Sequence, residues 1–236
     1  AIGLTDSPAR VAPMPTGDGL LARITPAGAT IPLAAMAGLC AAARRHGNGI
    51  IEVTSRGSIQ IRGLTQSSAA AFADAVAHLD IEMIAGVPIA VAPLAGLEAG
   101  EAIDTAGLAA SLREAIQAAD LRGRLAPKIS VAIDGGSPLH LDALAADVRL
   151  RASAGPDGPR LHVLLGGDAA NATHLGTVAP GDAVEAVLRL LAVIAARGPA
   201  ARARSLLRTE GANPFNTALA DLLTASPAAP ARPRAE

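Results

Sequence analysis

The chain has 236 residues, enough for one large or two small domains. Half of them are hydrophobic, mostly Ala, Val, Leu and Ile, with two Phe and no Tyr or Trp. That palette argues against reading single-stranded nucleic acid by stacking on aromatics, and a formal net charge of −1 leaves no basic footprint for a nucleic-acid partner. No run reaches the roughly 18 consecutive apolar residues of a membrane helix. The opening residues lack the basic-then-apolar pattern of a leader, and the one cysteine, Cys40, cannot close an internal disulfide. The expectation is a cytoplasmic protein with no nucleic-acid and no membrane partner.

In chain order, residues 1–16 hold three prolines and no period, and read as an extended arm. Residues 20–25 alternate as a strand. Pro32 suits the first position of a helix, where its missing N–H would be unpaired anyway. Leu33, Met36, Ala37, Cys40 and Ala43 or Arg44 then recur at helical spacing. Gly47 is placed to end that helix in a left-handed conformation, and Asn48-Gly49 turns the chain. Residues 50–53 and 58–62 read as a hairpin around Ser55-Arg56-Gly57. Thr65-Gln66-Ser67 caps a second helix with Ala71, Phe72, Ala75, Val76 and Leu79 on one face.

Pro88 and Pro93 frame a loop, 87–97. A helix follows over 105–119, then a strand over 128–133 closed by Asp134-Gly135-Gly136. Residues 147–152 and 160–165 pair across the turn Gly155-Pro156-Asp157-Gly158. Pro180 opens a long helix with Val184, Val187, Leu188, Leu191 and Ile194 or Ala195 buried, ended by Gly198-Pro199. A last helix fits 214–223. The Pro/Ala tail, 226–236, resembles an inter-domain linker.

Gln60 and Arg62 share a strand face, because side chains two apart point the same way. With Arg56 they place two guanidiniums and an amide near one sheet edge. Arg grips carboxylates bidentately, so this face suits a carboxylate-bearing ligand; a solvated polar strand face is the alternative. Lys128 enters a strand, where it serves either a site or the solvent. Among the five histidines none pairs at i,i+4 with a Glu, and no Cys-x-x-Cys exists, so no metal site is expected. Cys40 reads as a core residue. Gly166-Gly167-Asp168, like Asp134-Gly135-Gly136, lacks the Lys-Ser/Thr of a phosphate loop and reads as hairpin or strand-end geometry.

Several segments carry a resemblance: Gly17-Asp18-Gly19-Leu20-Leu21-Ala22-Arg23, Arg44-Arg45-His46-Gly47-Asn48-Gly49, Arg56 through Gly63-Leu64, Pro93-Leu94-Ala95-Gly96, Pro127-Lys128 and Ala146-Asp147-Val148-Arg149-Leu150. Over roughly 11–225 the chain resembles the N-terminal half of the precorrin-3B synthase branch of the nitrite/sulfite reductase superfamily. The resemblance implies an α+β chain: a ferredoxin-like half domain at 17–82, then a larger mixed α/β domain at 85–225. It implies that Arg56 approaches the anion at the tetrapyrrole iron and that Lys128 is the first of two active-site lysines. Ser130 stands where the second would be, and Val87-Pro88 stands where many relatives have Arg-Asn; both departures favour a tetrapyrrole monooxygenase over a sulfite or nitrite reductase.

By this resemblance Arg56 and Lys128 are the catalytic residues, and Arg56, Gln60, Arg62 and Lys128 bind the precorrin tetrapyrrole. The parent enzyme is expected to use dioxygen and an electron donor to turn precorrin-3A into precorrin-3B in cobalamin biosynthesis. A 4Fe-4S cluster and a siroheme-like group are expected only with a second, cysteine-bearing half. This chain alone is expected to bind neither and to be inactive, with that second half or a copy of itself as partner. A reductase half and a non-catalytic tetrapyrrole-binding module remain as alternatives.

Overall fold

The computed structural model describes residues 13–28, 30–54, 57–84, 86–97, 100–121, 123–155 and 158–226. The chain divides into two compact units, Ala1–Ala85 and Gly86–Glu236. Most of the arm (1–12), Arg56, the central turn residues Pro156 and Asp157, and the tail 227–236 lie outside the described residues.

The first unit runs β1 (Met14–Thr16), β2 (Gly19–Ile24), α1 (Leu33–His46), β3 (Ile51–Val53), β4 (Ile59–Leu64) and α2 (Gln66–Ala77). Its sheet has the order β1-β2-β4-β3, antiparallel throughout. Alternation puts Ala22, Ile24, Ile59 and Ile61 on one face, where Leu39 of α1 and Phe72 and Val76 of α2 cover them. The pairing steps from Leu20–Leu64 to Ala22–Ile61, so β4 carries an extra residue there. Gly63, at φ +70°, takes the left-handed conformation such a bulge requires. Thr65 caps α2 as its sequence predicts: its Oγ1 accepts from the Ser68 N–H (3.1 Å) while the Ser68 hydroxyl accepts from the Thr65 N–H (3.0 Å).

Helix α1 differs from expectation. Its buried face is Ala35, Leu39, Ala42 and Ala43; Leu33 is 85% exposed, and Cys40 is only half-buried and outside the core. In an Ala-rich helix several stripes have nearly equal hydrophobicity, and packing against α2 selects among them. Nor is Gly47 left-handed. It is extended, at φ −117° and ψ −156°, and Gly49, at φ +81°, makes the turn. Gly47 is required by proximity instead: a Cβ there would overlap the Arg62 carbonyl oxygen, to which Asn48 N–H donates at 3.0 Å.

The second unit contains β5 (Ile89–Val91), α3 (Thr105–Ala118), β6 (Val131–Asp134), β7 (Ala146–Ser153), β8 (Arg160–Gly167), β9 (Thr173–Val178), α4 (Ala183–Ala195), α5 (Ala203–Glu210) and α6 (Asn213–Ala218). Its sheet keeps sequence order, β5 to β9. β5, β6 and β7 are parallel; β7, β8 and β9 are antiparallel. Val131, Ile133, Val148, Leu150, Leu161, Val163 and Leu165 form the apolar face, packed with residues of α3, α4 and α6.

Several expectations change here. The predicted loop 87–97 contains β5, a short parallel edge strand in which Ile89 is buried and Ala90 and Val91 are half-buried, with no alternation to announce it. The predicted strand 128–133 begins only at Val131, because Ile129 N–H closes a turn onto the Ala126 carbonyl at 2.9 Å and leaves Lys128 in that turn. Gly166 and Gly167, by contrast, end β8 as strand-end geometry expects. The last helix stops at Ala218. β9 and α5 were not anticipated.

The Gly47 contact makes a stability prediction. Gly47→Ala should cost about 1–3 kcal/mol in urea unfolding, as overpacking does. Gly28→Ala, where a Cβ would meet nothing closer than 3.7 Å, should change stability by about 0.5 kcal/mol or less. Equal stabilities for the two variants would refute the close approach.

Candidate functional site

In the first unit, Gln60 and Arg62 lie on the sheet face opposite the core, both half-buried between buried Ile59 and Ile61. Across the ladders Gln60 stands beside Arg23 of β2 and Glu52 of β3. Arg62 is already paired: its Nε donates to Glu52 Oε2 at 2.7 Å, and its Nη1 is 3.5 Å from Asp18 Oδ1. The Glu52 hydrogen bond raises the Arg62 pKa. The hydrogen bond from Thr16, helped by Arg62, holds the Asp18 carboxyl below its ordinary value. An anionic ligand must therefore compete with two carboxylates for Arg62.

Lys128 belongs to the second unit, exposed in its turn. It is the only lysine in the chain. The structure thus brings Gln60 and Arg62 together on β4, while Lys128 stands in the other unit. Ser130 is buried, and its hydroxyl has no hydrogen-bond partner among the described residues.

The Ser130 N–H, two residues past Lys128, donates to a carboxylate with a dense donor set. Asp147, at the start of β7, is 2% exposed. Its Oδ1 accepts from Arg202 Nε (2.9 Å) and Ala203 N–H (3.1 Å), and its Oδ2 from Arg202 Nη2 (2.8 Å) and Ser130 N–H (3.2 Å). The reverse face of the second sheet is polar and buried. Asp134, Arg151, His162 and Thr177 oppose one another in a row across β6 to β9. Arg149, one row away, is fully buried; it donates through Nη2 to the Leu144 carbonyl, and its Nε and Nη1 have no partner among the described residues. Burial lowers its pKa against the pull of Asp134, Asp142 and Asp168. Ser153 Oγ lies 3.0 Å from His162 Nε2, and His162 Nδ1 lies 3.1 Å from His174 Nε2.

Residues 12–79 match the nitrite/sulfite reductase ferredoxin-like half domain. The chain carries that half domain. Over 199 residues it is 40% identical to a precorrin-3B synthase from Sinorhizobium sp., which covers 84% of this chain and 43% of the relative. The chain thus spans under half the length of that relative. The fold is similar to that of the NirA protein of Mycobacterium tuberculosis, with TM-score 0.73 and 18% identity, covering 92% of this chain and 43% of the other. It is also similar to dissimilatory sulfite reductase I, with TM-score 0.67 and 12% identity, covering 92% and 72%. The mixed α/β architecture is that of the nitrite/sulfite reductases.

The residues present do not fit an iron–sulfur cluster. Such clusters are held by several thiolates; the chain has one cysteine, on α1, and among the described residues no three His, Cys, Asp or Glu side chains converge on a metal position. Among those residues, too, no helix is long and apolar enough to cross a membrane.

Sequence reasoning missed Asp147, Arg149, Arg151, His162, His174 and Arg202. Only the alternation of Val148 and Leu150 with Arg149 and Arg151 hinted at a two-faced strand.

The histidine pair makes a pH prediction. Burial is the first cause lowering both pKa values, and for His162 the positive fields of His174 and Arg151 add to it. The unfolded chain then binds more protons than the folded one below the ordinary value of 6.5. Stability should be full above that pH and fall as pH drops through it. Thermal midpoints measured from pH 8 to 5 should show this slope, and His162→Gln should flatten it. An unchanged slope in the variant would remove His162 from the account.

Proposed function

We propose that the chain is the N-terminal half of an oxygen-dependent precorrin-3B synthase, an oxidoreductase of cobalamin biosynthesis that converts precorrin-3A to precorrin-3B. The observation that carries this reading is the 40% identity to a precorrin-3B synthase over 84% of the chain. The chain's part is to bind and orient the tetrapyrrole. Arg56 and Lys128 are the catalytic candidates, and Gln60 and Arg62 hold peripheral carboxylates. A rim of acetates and propionates needs several convergent cations and amide donors, since charge-assisted pairs to carboxylate are the strong ones. Gln60 donates without adding charge. Arg62 is held pointing across the sheet by Glu52 and Asp18 and exchanges one of them for a substrate carboxylate.

The thiolates for a 4Fe-4S cluster would come from a second half, with an electron donor serving the assembled enzyme. The cluster and a siroheme-like group would supply the redox chemistry. Lys128 contributes a compact ammonium that can hydrogen-bond an anion or donate a proton from Nζ.

Titration of the chain with uroporphyrin III, an octacarboxylic tetrapyrrole, tests the binding role. Arg56→Ala should weaken affinity by roughly tenfold or more, the scale of one charge-assisted hydrogen bond. Arg62→Ala should lose less, because its charge is already matched by Glu52 and Asp18. If the chain does not bind uroporphyrin III, or if Arg56→Ala binds as well as the parent, the tetrapyrrole-face reading fails. Anaerobic treatment with iron and sulfide should leave no cluster on the chain; about four irons per chain with a stable visible band would sink the half-enzyme assignment.

A further inference from the structure

Lys128 sits between two fixed points. On one side the turn is closed by Ile129 N–H onto the Ala126 carbonyl, and Ile129 itself is buried in the core. On the other side both backbone groups of Ser130 are taken by β7. Its N–H donates to the Asp147 carboxylate (3.2 Å), and its carbonyl accepts from Asp147 N–H (3.0 Å) and Val148 N–H (3.2 Å). Asp147 can hold Ser130 only if its own carboxylate cannot rotate. The planar fork of Arg202 fixes it through two hydrogen bonds, and Ala203 N–H at the start of α5 adds a third. A path of direct hydrogen bonds thus runs from the first turn of α5, more than 70 residues downstream of Lys128 in sequence, to the residue two places after it.

We propose that Asp147 and Arg202 are positioning residues for Lys128: together they fix the Ser130 backbone and so set the direction in which the chain's only lysine presents its ammonium to an anionic ligand. This rests on the reading of Lys128 as a tetrapyrrole-contacting residue. Two features separate the arrangement from an ordinary helix cap. Every other Lys/Arg position of the chain is Arg, so the one compact ammonium stands where the backbone is pinned on both sides. And Asp147 spends its fourth hydrogen bond on Ser130 rather than on α5. A lysine stem is flexible, so the direction of its Cα–Cβ bond sets the cone its Nζ can reach, and displacements near 1 Å weaken a positioned contact steeply.

The test is a mutant cycle on the whole chain, with uroporphyrin III as the probe. Arg202→Met removes the fork but keeps most of the stem, and the Arg202 side chain is 37% exposed, so water can take its place at Asp147. Asp147→Asn removes the charge and is the second variant. Where Asp147→Asn does not fold, Arg202→Met carries the test. Each is measured in the parent and in Lys128→Met. A positioning role predicts a loss of about five- to tenfold in affinity for Arg202→Met in the parent and under about twofold in Lys128→Met, because the two changes then share one path. Reductive 13C-dimethylation keeps the lysine charge and gives a single side-chain resonance for Lys128; that resonance should shift in Arg202→Met.

Equal losses in both backgrounds, with the Lys128 resonance unmoved, would reduce the pair to a structural clamp and overturn the proposal. A loss for Lys128→Met with none for Arg202→Met or Asp147→Asn also overturns it while leaving the role of Lys128 intact. No loss for Lys128→Met removes the role of Lys128 itself, and the positioning role with it.

Discussion

A carboxylate withdrawn from water costs several kcal/mol unless donors replace its solvent. Four N–H groups, from the residue before β6, the residue before α5 and the first residue of α5, converge on the two oxygens of Asp147. The geometry of the second unit depends on this convergence. It joins the entry of β6 to the entry of β7 and ties both to the first turn of α5. Removing any one donor leaves a buried lone pair; removing the carboxylate leaves Arg202 and two N–H groups to find water.

The same logic explains the reverse face of that sheet. Asp134, Arg151, His162 and Thr177 form a buried polar row on the side away from the apolar core. Buried polar groups are retained when their partners satisfy them. Here opposite charges stand directly across β6 and β7, and the imidazoles of β8 and β9 pass one hydrogen bond between them. A sheet with one apolar and one polar buried face is a two-sided scaffold.

The first unit solves an opposite problem. Its sheet has one buried face, and its polar face keeps Arg62 with its countercharges in place. Cations held by neighbouring carboxylates keep a surface near neutrality until a ligand with more carboxylates arrives. The chain's net charge of −1 provides no broad positive field. The fold itself does not dictate chemistry, since one architecture hosts many reactions.

The sequence by itself determined what is written in local patterns. Thr65 and Ser68 announce the cap of α2; alternation around two glycine-bearing turns announces both hairpins, β3–β4 and β7–β8; and the placing of Gln60 beside Arg62 on one face follows from the period of a strand. Segments from 17 to 150 were enough to show the nitrite/sulfite reductase resemblance.

What only the tertiary structure decided is whatever depends on a partner distant in the chain. β5 is a strand because β6, some 40 residues on, pairs with it in parallel. Gly47 is a glycine because the Arg62 carbonyl comes close, not because of its own torsion. Arg149 and Arg151 look like solvent-facing residues until the fold covers them. Arg202 and Asp147 are 55 residues apart and carry no mutual signal in sequence. Local pattern reports the torsional and hydrophobic preferences of neighbours along the chain; burial and ion pairing are set by neighbours in space, which exist only once the chain has closed on itself.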